Sequence, residues 1–324
     1  MARLGLRLRE ERVPIPRLCE LARLAESAGY DSVWVPEGSG RDAFSQLVAH
    51  ALSTSRIGLA TGIVTIYPRS APILAMTVAT VDQASGGRAI LGLGIGHREL
   101  LEAGHGVPFD RPVGRMREYV TGIRAILGRD ATPGRSFRLD FTPARPSLPI
   151  WVAALGPQMC ALAGEVADGV LLNWATPGSV QEAIAQVRRG AERGGRKPDS
   201  VDIACYIRVA VGEPEAVRHV LALETARYIS LDFYRRMFDR SGFAEDTAAV
   251  MRAWPRGVDA AAAEVSDRML EAVTVFGAPE ACRARLDGYR ALGVNLPVIA
   301  PVPAGADAFE SWAAAIQAFA PGAA

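Results

Sequence analysis

The chain has 324 residues, 49% of them hydrophobic, with 36 basic against 35 acidic side chains for a formal charge of +1. That is enough to bury a large core, and the balanced charge leaves no electrostatic footprint for nucleic acid or an anionic membrane. No apolar run reaches the ~18 residues of a membrane span, and the N-terminal "MARLGLRLREERVP" lacks the apolar centre of a secretory signal.

Taken in order, short apolar strands alternate with amphipathic helices. "RLGLRL" (3–8) reads as the first strand, and 15–28 as a helix with Leu18, Leu21, Ala22 and Ala25 on one face and Gly29 as the stop. "DSVWVPE" (31–37) is the second strand, followed by a helix over 41–54. "RIGLATGIVTI" (56–66) is the third, followed by a helix over 71–85. "RAILGLGIG" (88–96) is the fourth, with a helix over 111–127. "LPIWVAAL" (148–155) is the fifth, with a helix over 157–167. "DGVLLNW" (168–174) is the sixth, with a helix over 178–193. "VDIACYIRVAV" (201–211) is the seventh, and "VNLPVIAPV" (294–302) the eighth, closed by a helix over 306–319.

Near-continuous apolar strands in a βαβ repeat imply a parallel sheet buried on both faces. Eight units favour a closed (β/α)8 TIM barrel over a doubly wound sheet. The Rossmann alternative fails on its phosphate loop, because the glycines run G-x-G-x-G and lead into "HRELLEAGHGVPFDRP". Two insertions interrupt the repeat: 97–110 after strand four, and about 213–276 between strands seven and eight. The second is apolar and aromatic. It suits either a cover for the barrel mouth or a helical pair packed elsewhere.

One stretch raises a question of its own. In "ILGLGIGH" (90–97), Gly92, Gly94 and Gly96 share one face of the strand and leave it bare. Glycine within a strand marks a close approach by another backbone or by a ligand. Either large neighbours fill the gap, or a flat ligand lies against it.

Barrel chemistry belongs at the strand C-termini. Those ends carry Glu37, His97, Ala154, Gly156, Pro157, Asn173 and Trp174. Glu37 is the one carboxylate there, which leaves a glycosidase without its second acid. Of four histidines only His97 ends a strand, with no HxH or HExxH, so no metal site is expected. The cysteines, Cys19, Cys160, Cys205 and Cys282, show no CxxC spacing and read as buried thiols of a cytoplasmic protein. Lys197 is the only lysine and lies in the polar "GGRKPDS", which removes P-loop and Schiff-base chemistry. No GxSxG elbow is present. A site so poor in nucleophiles suits a cofactor that brings its own reactivity. His97 and Glu37 are the candidate proton-handling groups; surface exposure and helix capping are their plain alternatives. Trp174 either walls a ring or fills the barrel top. Gly156-Pro157 opens a helix whose free N–H groups suit a phosphate; an ordinary helix start is the plain alternative.

The stretches "AESAGYDSVWVPE", "IGLATGIVTIYPRSAPILAMTVATVDQASGGRAILGLGIG", "WVAALGPQMCALAGEVADGVLLNW" and "FGAPEACRARLDGYRALGVN" together resemble the bacterial luciferase-like oxidoreductases. The likeness is nearest their coenzyme F420 branch, typified by methylenetetrahydromethanopterin reductase. It implies a single luciferase-like barrel domain over 1–324, with the helical insertion at about 213–276. It implies a hydride exchange between the deazaflavin and a small organic substrate, and often a homodimer. It also implies a non-prolyl cis peptide at Gly62–Ile63. Carried over by position, Gly62, Ile63 and Val64 would meet the ring, and Gly92, Gly94, Gly96 and His97 would line the next wall. Ala154, Gly156 and Pro157 would meet the ribityl and phosphate portion, and Asn173 and Trp174 the substrate. With the resemblance, the flat-ligand answer to the glycine question gains weight. The F420-type glucose-6-phosphate dehydrogenase has Asp-His where this chain has Glu37-Gly38, a glutamate at His97, and lysines for its substrate's phosphate, so that substrate does not transfer. The alternative is an FMN-dependent monooxygenase of the same family with a separate flavin reductase. Those enzymes tend to place a serine after strand five, where this chain has "LGPQMC".

Overall fold

The computed structural model describes residues 3–128 and 137–321. Its strands in chain order are β1 (Gly5–Arg7), β2 (Ser32–Val35), β3 (Gly58–Thr61), β4 (Val64–Thr65), β5 (Ala89–Gly94), β6 (Ile150–Ala153), β7 (Gly169–Asn173), β8 (Asp202–Val209), β9 (Thr274–Val275) and β10 (Leu296–Pro301). All pairings are parallel. β10 pairs with both β8 and β1, which closes the sheet into an eight-stranded α/β barrel. β4 continues β3 alongside β5. β9 pairs with Arg208 and Val209 of β8, beyond the end of β7.

The helices lie where their periodicity put them. Ala71–Ser85 matches its expected span, and Pro112–Leu127, Pro157–Val166 and Pro177–Arg193 differ from theirs by a residue or so. Five of the helices begin on a Ser/Thr/Asp cap: Asp42, Ser70, Thr176, Ser266 and Asp307 each accept a backbone N–H of the first turn. The third strand differs from its expected span. It breaks at Gly62–Ile63, so 56–66 is two short strands rather than one.

Side chains alternate between two cores. Leu91, Leu93, Ile150 and Val152 face the helices. Trp34, Ala60, Trp151, Leu171, Ala204, Tyr206, Leu296 and Val298 fill the barrel. Trp34 and Trp151 meet edge to face with centroids 5.2 Å apart, a contact worth about 0.5–1.5 kcal/mol beyond its buried area. Two such rings need a small neighbour. Gly169 stands opposite Trp151 in the ladder, and a Cβ on it would lie 2.3 Å from the indole.

Both interruptions of the repeat are helical. Arg98–His105 follows β5 and ends on Gly106 with φ 65°. The longer one holds the helices Pro214–Ile229, Asp232–Phe238, Ala244–Ala253, Val258–Ala263 and Asp267–Val273. Their apolar faces form a core of their own that takes in Trp174 and Ala210 from the C-terminal ends of β7 and β8. The insertion therefore sits on the barrel mouth. A further helix, Pro279–Ala291, leads back to β10. The sequence reading did not anticipate it.

Candidate functional site

At the mouth, β3 stops at Thr61 and β4 resumes at Val64; the Gly62–Ile63 peptide between them is cis. Neighbours hold this bulge on several sides. Gly62 N–H donates to the Val35 carbonyl at 2.8 Å, and Glu37 N–H to the Ile63 carbonyl at 3.1 Å. The Tyr206 hydroxyl donates to the Gly62 carbonyl at 2.7 Å. Burial pushes the Tyr206 phenol well above its ordinary value, which keeps it a donor. A Cβ at position 62 would lie 1.9 Å from that hydroxyl, so any larger residue would have to displace Tyr206.

The bulge also answers the glycine question. A Cβ on Gly92 would lie 2.0 Å from the Thr61 carbonyl oxygen, and one on Gly94 would lie 2.4 Å from the Ile63 side chain. The bare face of β5 receives the bulge. Gly92 and Gly94 are thus not a free wall for a ring, because neighbouring atoms already occupy the space in front of them. Gly96, with φ 65°, turns the chain toward the next helix.

The surface left facing the mouth is the half-buried Ile63, which packs with the barrel interior. Val64 is fully buried in the outer core, so its side chain points to the helices and not to the mouth. The same alternation corrects Ala154, which also packs outward. Its neighbour Ala153 is half-buried on the inward side. Gly156 and Pro157 open the helix Pro157–Val166 with no side-chain cap, and nothing lies within 4 Å of a Cβ added to Gly156. That helix start is open, as a phosphate would require.

Glu37 is engaged elsewhere. Both its oxygens accept from Arg69, Nη2 at 2.9 Å and Nη1 closer, and Oε1 also accepts from the Ala43 N–H at 3.3 Å. Arg69 reaches on to Asp42 at 2.9 Å. The plain alternative holds: the carboxylate braces the start of the helix Ala43–Ser53, where charge and free N–H groups favour it. His97 remains at the mouth, half-buried, its ring 5.7 Å from that of Tyr234. Burial lowers its pKa, opposed by the Glu99 charge, so the imidazole is neutral near pH 7.

Trp174 has almost no exposed surface at the mouth. It is 1% exposed, with φ 56°, and is packed against Tyr228 and Phe238. It fills the top of the barrel, the other reading of its position. Asn173 is half-buried, and its side chain joins β7 to the insertion: Nδ2 donates to the Tyr234 hydroxyl at 2.5 Å, and Oδ1 accepts from Arg208 Nη1.

Arg208, Tyr234, Tyr206 and Arg7 were missed from the sequence. Arg208 is 1% exposed, lies 4.2 Å over Trp174 and 4.9 Å over Tyr228, and has Glu224 no nearer than 3.9 Å. Its Nε and Nη2 have no hydrogen-bond partner among the described residues. A guanidinium within the apolar "VDIACYIRVAV" was the available signal, since a buried charge lies in a strand only with a partner or a task. Arg7, in "RLGLRL", carries the same signal. Tyr234 had none beyond the aromatic density of its insertion.

A family model described as "Luciferase-like monooxygenase" matches residues 1–296. The chain is 32% identical over 301 residues to the 5,10-methylenetetrahydromethanopterin reductase of Methanolobus tindarius, covering 90% of this chain and 92% of that one. It is 30% identical over 314 residues to the enzyme of the same name from Archaeoglobus fulgidus, covering 92% and 93%. The solved structure of a coenzyme F420 dependent tetrahydromethanopterin reductase from Methanopyrus kandleri superposes with a TM-score of 0.81 over 98% of this chain and 97% of that one, at 23% identity.

Proposed function

Because the chain belongs to the luciferase-like monooxygenase family, we propose that it is an F420-dependent oxidoreductase that moves a hydride between the deazaflavin and a small organic substrate. The observation that carries this reading is the mouth itself. Its half-buried rim of Ile63, His97 and Ala153 lies beside an uncapped helix start at Gly156. The relatives named for tetrahydromethanopterin reduction support the cofactor and leave this chain's substrate open.

The residues present fit such a cofactor. The Gly62–Ile63 bulge, Gly96 and His97 would border the ring, and the backbone of Ala154, Gly156 and Pro157 the ribityl and phosphate portion. The open space at Gly156 is what that backbone contact needs. When bound, a 5-deazaflavin supplies or accepts a hydride at one ring carbon. The chain's own residues do the rest. Tyr206, Val35 and Glu37 fix the bulge through three hydrogen bonds. The insertion's aromatic core excludes water from the mouth. His97, neutral and with neither ring nitrogen hydrogen-bonded among the described residues, accepts or relays the accompanying proton. The Glu37 carboxylate is held by Arg69 and is left out of the proton transfer.

Titration of the purified protein with F420 and, separately, FMN tests the reading, followed by the fluorescence of each. The expected result is F420 binding at least tenfold tighter than FMN. Equal affinity, or oxygen consumption with reduced FMN, would establish the monooxygenase reading instead. His97→Gln is expected to lower turnover by about 10²-fold or more, typical of losing one acid–base group, with F420 affinity little changed.

A further inference from the structure

We propose that Tyr234 touches the substrate: its phenol O–H donates a hydrogen bond to a substrate oxygen or nitrogen, so that the substrate carries a carbonyl- or imine-type acceptor. The inference deepens the oxidoreductase reading and rests on it only for placing that acceptor beside the carbon that exchanges hydride.

The argument begins at Arg208. A guanidinium has donors and no acceptor. Its Nη1 donates to Asn173, so the atom it meets must be the amide oxygen. An Asn side chain is ordinarily ambiguous between its two ends; here the arginine removes the ambiguity. Nδ2 then faces the Tyr234 oxygen at 2.5 Å. The amide nitrogen can only donate, so the phenol oxygen accepts at that contact and its own hydrogen points elsewhere. No acceptor for that hydrogen lies within hydrogen-bond distance among the described residues. Tyr234 is 6% exposed, and buried donors are almost always paired.

Position adds to this. The helix Asp232–Phe238 carries Tyr234 onto the barrel mouth, its ring 5.7 Å from His97 and 4.8 Å from Tyr228. Asn173, its anchor, is half-buried at the end of β7. Burial and Tyr228 keep the phenol protonated, while the charges of Arg208 and Arg7 act the other way and would steady negative charge on its oxygen. Tyr234 thus presents a phenol hydrogen that its contact with Asn173 does not use. Arg208 and Asn173 are the residues that position it.

Two probes of nearly equal shape decide the matter: cyclohexanone, and methylenecyclohexane, in which a carbon replaces the carbonyl oxygen. Binding of each is measured to the F420-loaded protein and to the cofactor-free protein. The wild type is expected to prefer the ketone by about tenfold, the effect of one hydrogen bond, with the bound carbonyl band moved to lower wavenumber. Tyr234→Phe keeps the ring and is expected to lose both the preference and the band shift, with alkene and F420 affinity unchanged. Asn173→Asp offers the phenol an acceptor in place of a donor. It is expected to abolish the ketone preference with the tyrosine still present. Absence of any preference in the wild type, failure to bind the ketone at all, or a preference that survives in Tyr234→Phe overturns the proposal. If F420 does not bind, the reading of function fails separately, and the cofactor-free arm still decides the role of Tyr234.

Discussion

Gly92 and Gly94 are two residues apart on the same strand face and differ in what a methyl group would strike. At Gly92 it meets a backbone carbonyl, 2.0 Å away, which cannot move without shifting β3. At Gly94 it meets the far end of the Ile63 side chain, which can rotate. Gly92→Ala is therefore expected to destabilise the protein by about 3 kcal/mol or more, at the severe end of overpacking, seen as a large drop in Tm or in soluble yield. Gly94→Ala is expected to fold, losing less stability, and to bind F420 more weakly because Ile63 is displaced into the mouth. Thermal unfolding and cofactor titration on both variants check this; equal effects on stability would show that the two contacts are equivalent. The sequence showed the bare face, but glycine spacing is the same whether a ring or a neighbouring strand fills the gap.

The third strand, at the next scale, shows what an element can hide. "RIGLATGIVTI" is largely apolar beyond Arg56, and nothing in its composition marks a break between Thr61 and Val64. The break depends on partners from elsewhere in the chain, above all Tyr206 from β8. Glu37 shows the same dependence. At the end of β2 it was a fair candidate acid, and Arg69, thirty-two residues on, turns it into a brace for the helix Ala43–Ser53. Glu37→Ala is expected to cost about 1–2 kcal/mol through the lost cap and the loosened Arg69, measured by denaturant unfolding, with F420 affinity within twofold of wild type. A large loss of cofactor affinity would return Glu37 to the site.

The whole molecule is divided between its two rims. At the N-terminal rim several arginines are paired, although Arg290 Nε and His50 Nδ1 have no hydrogen-bond partner among the described residues. Arg3 bridges Asp31 and Asp202, Arg124 pairs with Asp168, Arg145 with Asp82, and Arg88 donates to the carbonyls of Ala51, Thr54, Ile57 and Ser85. At the C-terminal rim Arg208 has Nε and Nη2 without a hydrogen bond among the described residues, with Glu224 3.9 Å from Nε. Acid should reveal the stabilising groups in two stages. His50 is fully buried, and its Nε2 lies 3.1 Å from Gln46 Nε2. Burial pushes its pKa down to about 4, against an ordinary value near 6.5. Its stabilising effect is complete above pH ~6.5 and is lost as the pH falls from there toward 4, because the unfolded chain binds the proton first. Glu26 is held down to about 2: burial opposes its charge, and the N–H groups of Ile57, Arg56 and Ser55 outweigh that. Its contribution is complete above pH ~4.5 and disappears as the pH falls toward 2. His50→Leu is expected to flatten stability against pH between 6.5 and 4, and Glu26→Gln between 4.5 and 2, read from denaturant midpoints across the range. Unaltered slopes would remove these two groups from the acid response.

By itself the sequence determined the barrel and the spans of the seven helices that follow its strands, and it pointed to the strand C-termini as the place to look for a site. These follow from periodicity and capping, which act over a few residues and are written locally. Tertiary structure alone decided which side chains at that end are free. Ala154 and Val64 turn outward, Trp174 is sealed, and Glu37 is claimed by Arg69, whereas Arg208, Asn173 and Tyr234 are brought together from β8, β7 and the insertion. Closing the barrel sets the partners of each polar group, and partners far apart in the chain leave no mark in its spacing.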